Sequence, residues 1–83
     1  MNKRTNEGYE ITDSIRVGDV EFVLGSNPAA PAQYVTWRCN NGTDYYWGRY
    51  FTDIYAARRS LYERALEQND LQSHLARLSD ENE

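Results

Sequence analysis

From Tyr9 to Val17 the chain alternates, with Tyr9, Ile11, Ile15 and Val17 on one side and Glu10, Thr12, Ser14 and Arg16 on the other. A period of two marks a strand with one buried face. Gly18-Asp19 follows as a type II′ turn, glycine first, and Val20 to Leu24 as the second strand. Counting outward from that turn pairs Val17 with Val20 and Ile15 with Phe22 on a core face, and Arg16 with Glu21 as an ion pair on the reverse face. Asp13 breaks the pattern, because it falls on the core face opposite Leu24. Either a bulge shifts the phase there or Asp13 caps a local turn with Ser14.

Gly25 to Ala32, GSNPAAPA, carries both prolines and reads as a loop. Residues 33–51, QYVTWRCNNGTDYYWGRYF, then read as two strands folded back on Asn41-Gly42, the dipeptide best suited to a type I′ turn. The stretch holds seven of the chain's eleven aromatic residues, so the hairpin register decides where most of the rings go. Symmetric counting from a two-residue turn sets Asn40 opposite Thr43, Arg38 opposite Tyr45, Thr36 opposite Trp47 and Tyr34 opposite Arg49. The other face carries Cys39, Trp37, Val35, Tyr46, Gly48 and Tyr50. It is the more apolar and is expected to be buried, with Gly48 leaving room for Trp37 or for a helix backbone. The face with Tyr34, Arg38, Tyr45, Trp47 and Arg49 is expected to look outward.

After Phe51 the period changes. Thr52 or Asp53 predicts an N-cap, and TDIYAARRSLYERALEQ is rich in helix formers. Ile54, Ala57, Leu61 and Ala65 form the apolar stripe, with Tyr62 and Leu66 alongside. Asn69-Asp70 offers a break without forcing one. Leu71, Leu75 and Leu78 continue the stripe in phase, although Arg64 and Gln68 interrupt the heptad. Four strands need about five helical turns to span them, which Asp53 to Asn69 supplies. Leu71, Leu75 and Leu78 therefore overhang, and read either as continued packing on the sheet or as a homodimer contact through the C-terminal helix.

The predicted fold is α+β, a four-stranded antiparallel β-meander packed on one C-terminal α-helix. Residues 1–8 read as a disordered tail, 9–78 as a single ββββα domain and 79–83 as an acidic tail. The expected core is Ile11, Ile15, Val17, Val20, Phe22, Leu24, Val35, Trp37, Tyr46, Ile54, Ala57, Leu61 and Ala65.

Charge and chemistry narrow the function. The net charge of -4 argues against non-specific affinity for nucleic acid or an anionic membrane. The acidic bias grows toward the C-terminus. Cys39 is the only cysteine and His74 the only histidine, too few for a usual zinc site. Cys39 reads as a packed core thiol and His74 as a helix-surface residue. Asp13, Asp19, Asp44 and Asp53 fall at turns and caps, where aspartate bonds locally. The sequence thus predicts no catalytic, metal or cofactor site. With one cysteine, no signal peptide and no long apolar run, a cytoplasmic protein is expected.

What remains is the face with Tyr34, Arg38, Tyr45, Trp47 and Arg49. Arginine stems stacked over rings can simply be a solvated sheet surface. The same residues also suit stacking of single-stranded nucleic acid, or a protein partner, since Tyr, Trp and Arg dominate interface hot spots. Against the acidic balance, a protein partner is the functional reading preferred here. The order of blocks YEITDSIRVGDVEFVLG, YVTW and YYWGRYF followed by a short helix resembles small uncharacterised reading frames carried by bacterial phages and other mobile elements. That resemblance implies an anti-defence inhibitor, such as an anti-CRISPR-like protein, with an accessory or structural protein as the alternative.

Overall fold

The central strand of the sheet is buried on both faces, and the rest of the architecture follows from covering it twice. A computed structural model describes residues 4–81, with side chains as far as Leu71. Five antiparallel strands run in sequence order: β1 (Thr5–Asn6), β2 (Tyr9–Val17), β3 (Val20–Ser26), β4 (Tyr34–Asn40) and β5 (Asp44–Phe51). One helix, α1 (Ile54–Glu81), lies across one face. The fold is α+β as predicted, but with five strands where four were expected. Residues assigned to a tail form β1, through a turn at Glu7-Gly8 with φ of 52° and 85°. Both angles are positive, as a type I′ turn requires, and glutamate seldom adopts the first. Residues 1–3 of that tail lie outside the described residues.

The β2–β3 hairpin matches its predicted register. Val17 pairs with Val20 and Ile15 with Phe22 around a turn in which Gly18 alone has positive φ, 61°. Asp13 does stand opposite Leu24, and a bulge between Ile11 and Asp13 absorbs the misfit. Arg16 stands opposite Glu21, yet the ion pair of Glu21 is with Arg4.

The β4–β5 register departs from prediction in two steps. Asn41 and Gly42 have φ of 55° and 74°, and the Thr43 amide donates to the Asn40 carbonyl at 3.2 Å, so the expected turn is present. Thr43 nevertheless stays out of the ladder, and Asn40 pairs with Asp44. A second irregularity falls between Thr36 and Arg38, where Trp47-Gly48 answers Trp37 alone. Each extra residue flips side chains to the other face. Tyr45 and Tyr46 therefore exchange faces relative to prediction, whereas Arg49, past both insertions, returns to the face of Thr36.

That face, not the Trp37 face, carries the helix. Phe22, Leu24, Ala57, Leu61 and Ala65 form the buried cluster there, with Ile15, Val17, Val20, Tyr34, Phe51 and Ile54 packed around it. Fully burying one such leucine stabilises by roughly 1.5–3 kcal/mol. On the opposite face a second cluster, Tyr9, Val23, Val35, Trp37 and Cys39, is equally dry. No second layer covers it. Instead the 27–33 loop folds over, the Tyr9 hydroxyl donating to the Ala32 carbonyl at 2.6 Å and Ala30 packing on the cluster. Tyr9 and Trp37 meet edge to face at 5.7 Å. Gly48 makes room for Trp37 as predicted: a Cβ there would lie 2.8 Å from the indole nitrogen.

At the edge of the second cluster Glu21 is buried under the bidentate guanidinium of Arg4, at 2.8 and 3.1 Å, and accepts a further bond from Ser14. Arg4 also reaches the Cys39 sulfur, the Gly42 carbonyl and the Tyr45 hydroxyl. It thereby pins β1 to the central hairpin. Cys39 is a buried free thiol as expected, its pKa pushed up first by burial.

Asp53 caps α1, its carboxylate oxygens accepting from Tyr55 N at 3.4 Å and Ala56 N at 3.3 Å. The helix continues through Asn69-Asp70 and takes in the predicted acidic tail as far as Glu81. Its 28 residues span about 42 Å, longer than any strand it crosses. Among the described residues, no helix is long and apolar enough to cross a membrane. The predicted stripe of Ile54, Ala57, Leu61 and Ala65 packs on the sheet, but its flank differs from prediction. Ser60 and Arg64 face the sheet, while Tyr62 and Leu66 face outward.

Two predictions test this packing. Gly48→Ala should destabilise the chain by about 1–3 kcal/mol in urea unfolding, because Trp37 is held in the core and must shift. The Arg4 guanidinium holds the Glu21 carboxyl at about 2, below its ordinary 4.5. A depressed carboxylate contributes stability that is complete above the unfolded value and lost as pH falls through the folded one. Unfolding free energy should therefore drop between pH 4.5 and 2, and Glu21→Gln should lack roughly 1–3 kcal/mol of that drop. Parallel pH profiles for both proteins would contradict the assignment.

Candidate functional site

The second β5 insertion builds the most distinctive surface of the molecule. Trp47 has φ of 57°, a left-handed backbone that a bulky residue adopts only under constraint. The constraint is Arg64, reaching up from α1. Its Nη1 donates to the Thr36 carbonyl at 3.0 Å and to Thr36 Oγ1 at 3.2 Å, and its Nη2 donates to the Trp47 carbonyl. Thr36 Oγ1 also shares a bond with Ser60 Oγ at 3.1 Å. One buried guanidinium thus ties the helix to β4 and to the bulge of β5, and it lies over the Phe22 ring at 6.0 Å.

Beside it a cavity of about 270 Å³ opens between sheet and helix. Arg38, Arg49 and Arg64 all line it, with Trp47, Phe22 and Leu71 as its large apolar walls. The Arg38 guanidinium stacks over Trp47 at 5.3 Å and over Tyr46 at 5.9 Å. Glu67 is the one acidic residue of the lining. Among the described residues, no carboxylate forms an ion pair with any of the three arginines. The crowding registers on Arg64, whose pKa is lowered by burial first, then by the positive charge of Arg49 and, more weakly, of Arg38, against the opposing pull of Glu67. Three cations converge where their own chain supplies little compensation.

Of the residues singled out for partner binding, Arg38, Trp47 and Arg49 come together here. Tyr34 does not: it is half-buried against the Phe22–Leu24 cluster under the helix. Tyr45 lies on the far face, 5.6 Å from Trp37, beneath Arg4. Both depart from the outward face expected for them, Tyr34 because the helix covers that face and Tyr45 because Thr43 slips the register. Leu71 is exposed and forms part of the cavity wall. Leu75 and Leu78 lie on α1, but their side chains, like that of His74, fall outside the described residues. The site residue missed from sequence is Arg64. Its signal was present: Arg64 and Gln68 fall in phase with Ala57 and Leu61, polar residues where the stripe asks for apolar ones.

The three arginines should respond differently to removal. Arg64→Met strips the buried Thr36 carbonyl and the part-buried Trp47 carbonyl of a donor and should cost about 2–4 kcal/mol in urea unfolding. Arg49→Gln relieves repulsion at an exposed site and should leave stability unchanged or raise it by about 0.5 kcal/mol. A large loss from Arg49→Gln would mean that Arg49 is structural.

Comparison with family models, with curated proteins and with solved structures finds no match to this chain.

Proposed function

We propose that the protein is a non-enzymatic binding module that acts through protein–protein contact, with the Trp47 bulge and the arginines around it as the contact surface. The observation that carries this is Trp47 itself. Trp47 is 66% exposed although its backbone is held in a strained, left-handed conformation. A left-handed non-glycine residue costs on the order of 1–3 kcal/mol, and such strain concentrates at binding sites. Tryptophan, tyrosine and arginine are the residues on which interface energies centre. A small inhibitor that covers a working surface of a larger protein fits this arrangement. So does the phage or mobile-element setting, with its anti-defence proteins, that the block order resembles.

A second reading, a homo-oligomer through α1, is favoured by the outward stripe of Tyr55, Tyr62 and Leu66, all more than half exposed. It moves the self-association surface off the overhanging leucines and onto the outer face of the helix. Sedimentation equilibrium decides it. A dimer that Leu66→Glu dissociates supports this reading, and a monomeric wild type at high concentration removes it.

The leading reading is tested by affinity capture from the native host with wild type and Trp47→Ala as baits. Trp47→Ala should melt like wild type and lose the partner, a truncation loss of about 2 kcal/mol or more. The same proteins recovered at the same yield by both baits would overturn it.

A further inference from the structure

We infer that the Arg38–Arg49–Arg64 groove takes carboxylate side chains of an acidic peptide segment on the partner. This rests on the contact reading above and names the chemistry of what is contacted.

Three features converge on it. The first is uncompensated charge. Arg64 spends its bonds on two backbone carbonyls and one hydroxyl, none of them an anion, and Arg38 and Arg49 have no carboxylate partner among the described residues. A buried guanidinium surrounded by like charge gains from any anion that enters, since attraction strengthens as water leaves. The second is size. The cavity of about 270 Å³ has room for more than a single water or bare ion. That suits one or two carboxylate side chains with an apolar neighbour better than a bare ion. The third is the wall. Trp47, Phe22 and Leu71 offer apolar surface directly beside the cations. A segment alternating acidic and apolar residues satisfies both at once.

The same features disfavour a nucleic-acid strand. Its phosphates recur along the whole backbone, whereas the positive region here is one cavity with Glu67 in its lining and Glu63 and Asp70 elsewhere on the helix. The chain carries a net charge of -4, so a polyanion is repelled once it extends past the three arginines. A peptide can place its charges in the groove and none beyond it.

The experiment is a titration of the full chain followed by NMR, reading the Trp47 indole N–H and the arginine side-chain N–H resonances. The probes are a hexapeptide alternating glutamate and leucine, its glutamine counterpart, inorganic phosphate, and a hexathymidylate. The glutamate peptide should shift these resonances saturably, and the glutamine peptide should bind at least about tenfold more weakly. Arg49→Gln should weaken the glutamate peptide by about tenfold while melting like wild type. Three results would overturn the inference: no saturable shift with the glutamate peptide, equal binding of the glutamine peptide, or tighter binding of phosphate or hexathymidylate. The two readings fail separately. A captured partner that is lost with Trp47→Ala but kept with Arg38→Gln and Arg49→Gln upholds the protein contact and sinks the carboxylate groove.

Discussion

The Arg64 guanidinium is the interaction on which the geometry of this molecule turns. It sits on the sheet-facing side of α1, where an apolar residue would pack more cheaply, and it bonds the Thr36 carbonyl and hydroxyl and the Trp47 carbonyl. An unpaired buried acceptor costs about 1–3 kcal/mol. Trp47 stands at the irregularity of the β4–β5 ladder, and Arg64 donates to its carbonyl there. Helix phase and strand bulge are therefore mutually dependent. Rotating α1 to bury Tyr62 and Leu66 would withdraw Arg64 and Ser60, and straightening β5 would remove one of the acceptors that hold Arg64 in place.

A sheet this small gains by using both of its faces. The helix covers Phe22 and Leu24, but Val23, Val35 and Trp37 point the other way and are no less buried. Their cover is built from a loop, an edge strand and one ion pair. Arg4 over Glu21 resembles Arg64 over Thr36 in its role, since each guanidinium closes one face and joins elements distant in sequence. They differ in electrostatics. Arg4 meets a carboxylate and both partners are stabilised in their charged forms, whereas Arg64 hydrogen-bonds only to dipoles and has Arg49 and Arg38 opposing its charge against the pull of Glu67.

Sequence alone locates most of these elements but misplaces their faces, for identifiable reasons. The β2–β3 hairpin is legible because glycine leads its turn and the pairs Val17–Val20 and Ile15–Phe22 are apolar on one side. The β4–β5 hairpin is not, because neither Thr43 nor Trp47 announces itself as an extra residue. Glycine at position 48 hints at irregularity, yet the left-handed residue is the tryptophan before it. Arg49 still falls on the face of Thr36 and Arg38 because the two slips cancel in parity, so its predicted face holds for an incomplete reason. Tyr45, between the slips, had no such protection. The helix stripe Ile54, Ala57, Leu61 and Ala65 was legible, but its flank was assigned to Tyr62 and Leu66, because hydrogen bonds to Thr36 and Trp47 outweigh the polarity that would keep Ser60 and Arg64 outside. The turn that joins β1 to β2 was hidden by a glutamate in a conformation it rarely adopts.

These constraints also separate what the groove owes to folding from what it offers to a partner. Arg64 cannot be changed for binding alone, because the same bonds hold the helix to the sheet. Arg38 and Arg49 carry no such burden: one stacks on the rings of Tyr46 and Trp47, and the other is exposed beside them. Their charges raise the electrostatic energy of the free protein, since each opposes Arg64. A folded chain selected for stability alone would replace Arg49 or pair it. That it has no ion-pair partner among the described residues, beside a strained, exposed tryptophan, is the arrangement expected where the energy is recovered on contact with an anion.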